Sequence, residues 1–269
     1  LELLHRCCNE KKDFLDSIEK VELLFSHENR KLYATMDKLL NGLKVLFANS
    51  QTWLQVIEKN VLADSLVHKT HTKLIRLKSL FEENKEDNDH LKIKQRIFRH
   101  MGGNKIIMQP LEKGITLCDT LVEVYKGLSS PEQRQKFKNV TSTIVDIFKV
   151  IHSIMGLFCL RNTANQKMAY KRINFITFQK SMNIGQIELL IEVFQTDSKN
   201  PSSSKALNEQ LIRYLTSMIE THGRKEIFLK VFKTITDQQT DDLIETEKRI
   251  LMVLLEDQVL PVINVKKLF

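Results

Sequence analysis

The chain has 269 residues, 41 Lys and Arg against 33 Asp and Glu, and a net charge of +8. Its eight glycines and four prolines are too few for an all-β sandwich or barrel, which needs a turn every ~8–12 residues. No glycine-rich turn follows a short β-branched run, which argues against a dinucleotide-binding sheet. At 42% hydrophobic and 28% charged, the composition is that of a folded chain of one large or two small domains.

Apolar residues recur at three- and four-residue spacing along nearly the whole sequence, the pattern of one-sided helices. Residues 3–25 read as a first helix and 30–47 as a second, with Leu32, Met36, Leu39, Leu40, Leu43 and Leu46 on one face. Shorter helices follow at 53–61 and 66–81, then an acidic interruption over 82–89. Asp89 is the expected N-cap of a helix that reaches Met101 and stops at Gly102 and Gly103, and Asn104 begins a short apolar helix. Ser130-Pro131-Glu132-Gln133 is the clearest start signal. It offers a capping hydroxyl, a proline suited to the first turn and a glutamine placed to close a capping box.

The helix opened there contains the stretch 140–160, apolar enough to be mistaken for a membrane span but carrying Asp146, Lys149 and His152. A charge near a bilayer centre costs ~2.5–3.5 kcal/mol, so a helix buried within the fold is expected instead. No signal peptide is expected at the N-terminus, which reads as the start of an excised piece. Residues 198–204 read as a loop, and helices resume at 207–221, 225–235 and 241–255.

Three times a glycine ends one helix and a compact apolar helix begins within two or three residues. The glycines are Gly102, Gly185 and Gly223, separated by 83 and then 38 residues. Those separations approximate two periods and one period of ~40 residues, the length of armadillo and HEAT units. A helix pair of that size cannot bury its apolar face alone, so neighbours stack. The expected fold is all-α, an armadillo/HEAT-like α-solenoid of stacked helix pairs, with N-terminal helical hairpins in 1–85 and a second unit in 86–269.

Chemistry-bearing constellations are sparse. Cys7, Cys8, Cys118 and Cys159 are too few and too unevenly spaced for a disulfide framework and read as reduced thiols. His68 and His71 lie three apart, and His5, Cys7 and Cys8 cluster, but neither group has the second ligand pair of a structural zinc site. No phosphate-binding loop, nucleophile elbow, zinc-protease or kinase pattern occurs. Neither enzymatic activity nor a metal or cofactor is expected.

Charge is more informative. Between Asp146 and Glu188 there is no acid but six bases, Lys149, Arg161, Lys167, Lys171, Arg172 and Lys180, a candidate contact patch for an acidic partner or an anionic head group. A second acid-free run holds Lys92, Lys94, Arg96, Arg99 and Lys105. Aromatic residues are not interleaved with these charges as a single-strand platform requires, so nucleic acid is not an expected partner.

Three segments, in this order, resemble a known family. Gln95-Arg96-Ile97-Phe98-Arg99-His100-Met101 with the apolar helix after it, Phe158-Cys159-Leu160-Arg161-Asn162-Thr163-Ala164-Asn165-Gln166, and Ile219-Glu220-Thr221-His222-Gly223-Arg224 are similar to signatures of the homology domain shared by ryanodine and inositol trisphosphate receptors. The resemblance covers about residues 91–255 and points to the central armadillo copy rather than the ligand-binding one. In the ligand-binding copy a cationic triplet precedes the Asn-Gln pair, whereas here Asn162, Thr163 and Ala164 supply no charge, so ligand binding in that manner is not expected. The resemblance implies that 86–269 is this homology domain, within a tetrameric calcium-release channel at the cytosolic face of the endoplasmic reticulum membrane. Its partners would be other domains or subunits of that channel, and it would carry conformational change between regulatory parts and the pore. The alternatives are a free-standing armadillo adaptor for a protein partner, or a module binding anionic lipid or nucleic acid.

Overall fold

A computed structural model of the protein describes residues 26–48, 62–112, 126, 130–177, 184–195, 209–223 and 225–236. The helices expected at 3–25, 53–61 and 241–255 and the loop at 198–204 lie outside the described residues, as do His5, Cys7, Cys8, Cys118, Lys180 and Arg224. Among the described residues all regular structure is α-helical, and there is no strand. The helices are α1 (His27–Ala48), α2 (Leu62–Glu82), α3 (Asn88–His100), α4 (Gly103–Glu112) and α5 (Pro131–Cys159), then α6 (Thr163–Tyr170), α7 (Ile173–Ile176), α8 (Gln186–Phe194), α9 (Glu209–His222) and α10 (Glu226–Thr236).

Local chemistry explains the starts. Ser130 is extended (φ −92°, ψ 139°), its Oγ accepts from the Gln133 N–H at 3.3 Å, and the Gln133 Oε1 accepts from the Ser130 N–H at 3.4 Å. The expected capping box is present, with Pro131 in the first turn. At α3 the cap is Asp87, not the expected Asp89. The Asp87 Oδ1 accepts from the Asp89 and His90 N–H groups at 3.0 and 3.2 Å, so Asp89 falls in the first turn and the interruption shortens to a few residues.

The long helix α5 organises the interior. It packs along α2 and α8 and also meets α4 and α6, burying Ile144, Ile147, Phe148, Ile151, Ile154, Met155 and Phe158. By length and composition alone it could cross a membrane, but more than half of its most apolar stretch is buried inside the fold. Phe81 of α2, Phe98 of α3 and Phe158 of α5 stack edge-to-face in series, with ring centroids 5.2 and 5.5 Å apart. Such contacts add ~0.5–1.5 kcal/mol each beyond the area they bury. A boundary at residues 85/86 falls in the α2–α3 turn, yet α1 rests on α3 and α4, and α2 on α5, so one core runs across it.

The glycines Gly102, Gly185 and Gly223 have φ of +66°, +92° and +76°, and these are the positive-φ glycines among the described residues. L side chains avoid that region, so each of the three junctions needs glycine for its backbone.

Candidate functional site

The α5–α6 corner gathers the first two sequence signatures. A helix end leaves four carbonyls without helical partners, and here each of the four finds one. The Leu160 N–H donates to the Gly156 carbonyl at 2.9 Å, and the Asn162 N–H to the Cys159 carbonyl at 3.1 Å. The Gln95 Nε2 of α3 donates to the Leu157 carbonyl, and also to that of Leu160, at 2.9 Å in both cases. The Asn165 Nδ2 donates to the Phe158 carbonyl at 2.8 Å. The corner itself turns through Arg161 in the left-handed region (φ +53°), an uncommon conformation for a residue with a side chain.

The amides also bind one another. The Asn162 Nδ2 donates to the Gln95 Oε1 at 2.8 Å, while the Asn162 Oδ1 caps α6 by accepting from the Asn165 N–H at 3.2 Å. Arg99 of α3 donates through Nη1 to the Asn165 Oδ1 at 3.2 Å. One residue on, the Gln166 Nε2 donates to the carbonyl of Glu192 at 2.9 Å and to that of Gln195, closing the end of α8. Gln95, Asn165 and Gln166 are buried, so these donors have no water to fall back on. The motif is therefore a joint of α3, α5, α6 and α8 rather than an open ligand site. Phe158 and Cys159 are buried in the last turn of α5, Met101 caps α3 against the core, and Arg96 is half-buried on α3. His222 ends α9 half-buried and Gly223 follows it, far along the chain from the joint.

The basic residues are not gathered into one free surface. Lys149 pairs with Asp146 at 3.3 Å, and Arg172 with Glu112 of α4. Arg161 and Lys149 line a cleft of about 540 Å³ together with Glu82, Glu86, Glu188 and Glu192. Burial pushes the Glu192 carboxyl up from its ordinary range, with Lys230 and Arg161 pulling the other way. Lys167 and Lys171 are exposed. In the second run Lys94 is buried, donates to the Glu83 carbonyl, and is pushed down by desolvation against the opposing pull of Glu83.

Under the same cleft His152 is fully buried. Its Nδ1 donates to the Phe148 carbonyl at 2.8 Å, and its Cβ lies 3.3 Å from where a side chain at Gly185 would begin. Burial lowers the imidazole to about 4, only partly offset by the backbone of Phe148 and Ile184.

Sequence reasoning missed a second cleft, of about 720 Å³, between α1 and α2. It is lined by Lys31, Lys38, Lys69, Lys73, Arg76 and His68, with no carboxylate among the described residues. The signal was available: Lys31 and Lys38 are seven apart, and Lys69, Lys73 and Arg76 follow at four and three, so each set shares a helix face. Among the described residues no three His, Cys, Asp or Glu side chains converge as metal ligands. No protein-family model matches the chain.

Proposed function

We propose that the chain is a non-catalytic, cytosolic α-solenoid segment of an inositol trisphosphate/ryanodine receptor-type intracellular calcium-release channel, carrying conformational change between regulatory parts and the pore. The observation that supports this reading is the joint at Gln95, Arg99, Asn162, Asn165 and Gln166. Residues that carry the sequence resemblance are spent on tying four helices together, not on holding a substrate. A joint of buried, directional hydrogen bonds makes neighbouring helices move as one body, which suits a segment that relays small rotations along a stack.

The test is calcium release from membrane vesicles containing the full-length parent protein, with Asn165→Ala against the parent. Reduced agonist-evoked release at unchanged agonist binding is the expected result. A full-length reading frame without a downstream bundle of membrane helices, or unaltered release, would overturn the proposal in favour of an adaptor.

A further inference from the structure

We propose that the cleft between α1 and α2 binds a small anion carrying clustered phosphate groups. Five cationic side chains enter it, Lys31 and Lys38 from one helix and Lys69, Lys73 and Arg76 from the other. None of the five pairs with a carboxylate among the described residues. Like charges one turn apart, as at Lys69 and Lys73, oppose helix formation. Just beyond Arg76 the same helix carries an opposite-charge pair instead, with Lys78 and Glu82 3.2 Å apart. The repulsive set is thus confined to the face that lines the cleft.

Ala34, Thr35, Ser65 and Thr72 are the small residues that keep the space open, and Leu39 lies at its base. The Thr35 and Thr72 hydroxyls donate to their own helix backbones, each at 2.8 Å. Donation into the cleft is left chiefly to the cations, which calls for an acceptor-rich, fully ionised ligand. The volume of about 720 Å³ is that of a small-molecule site. Five positive charges within it match several phosphates held close together, whereas an acidic peptide spreads its charge along an extended chain. The cleft is built on α1 and α2, so this inference does not rest on the channel reading.

The 269-residue chain would be titrated calorimetrically with inorganic tripolyphosphate at moderate salt. The arms are the parent, Lys69→Gln/Lys73→Gln, and Lys136→Gln/Lys138→Gln, whose lysines are exposed near the start of α5. Saturable one-site binding is expected, weakened about tenfold or more by the first pair and unchanged by the second. Flotation with phosphatidylcholine vesicles, with and without phosphatidylinositol bisphosphate, separates a membrane source of the phosphates from a soluble one; vesicle binding competed by tripolyphosphate also supports the site. The proposal is overturned if the parent binds neither tripolyphosphate nor the phosphoinositide vesicles, by equal loss in the two variants, or by a poly-glutamate peptide binding more tightly than tripolyphosphate.

Discussion

Gly223 carries the chain out of α9 with φ +76°, and a Cβ placed there would meet nothing within 4 Å. Any penalty for a larger residue is therefore one of backbone conformation. Gly223→Val is expected to cost ~1–3 kcal/mol, since β-branched residues strongly disfavour left-handed φ. Gly223→Asn should cost less, because Asn tolerates that region. Thermal unfolding of both variants against the parent checks this, and a valine variant melting within about a degree of the parent would refute it. His152 makes a different kind of demand. Its imidazole titrates near 6.5 in the unfolded chain but is held at about 4 in the fold, so the unfolded state binds more protons between those values. Its contribution is intact above about pH 6.5 and is lost as the pH falls toward 4. From about pH 8 to about pH 5 that loss is roughly 2 kcal/mol. Denaturant unfolding at the two pH values should show a smaller difference for His152→Leu, whose side chain cannot charge.

At the scale of the element, the joint predicts coupling. Asn165→Ala leaves the Phe158 carbonyl buried without its donor and removes one of the contacts of Arg99, an expected loss of ~1–3 kcal/mol. Gln95→Ala and Asn162→Ala should not be additive, because the two amides bind each other directly. A double-mutant cycle is expected to give an interaction of ~0.5 kcal/mol or more, and strict additivity would remove the claim that they act together. These elements also mark how far a sequence can be read. The start of α5 is legible because Ser130 and Gln133 satisfy one another within four residues and Pro131 suits the first turn. The start of α3 is ambiguous because Asp87, Asn88 and Asp89 can all cap, and the choice falls to whichever residue is extended when the chain leaves α2. Gln95 and Asn162 are recognisable as members of a motif, but nothing local reveals that they meet across 67 positions. The cationic faces of α1 and α2 are legible one helix at a time; their opposition across a cleft is a matter of tertiary packing.

For the whole molecule, the position of α2 predicts that residues 86–269 do not form a self-sufficient unit. Leu74, Leu77 and Phe81 are fully buried, and α2 covers the long central helix. A chain beginning at residue 86 would expose that apolar surface, and it should lose cooperative unfolding or self-associate. Sedimentation and denaturant unfolding of this chain against the parent would check it; a monomer as stable as the parent would show that α1 and α2 are dispensable. The parent should give a far-ultraviolet dichroism spectrum dominated by helix, and substantial sheet signal would contradict the fold. The α5–α6 joint has one more consequence. Apart from Arg99 and the buried Cys159 thiol, which donates to the Asn165 carbonyl at 3.9 Å, it is made of side-chain amides and main-chain groups, none of which gains or loses a proton in any living compartment. Its stiffness is accordingly indifferent to acidification and nearly so to ionic strength. Two of the molecule's features do answer to the surrounding medium: the imidazole in the core, which registers protons, and the cationic cleft, which registers salt and polyanions. The joint stays constant while the sensors vary.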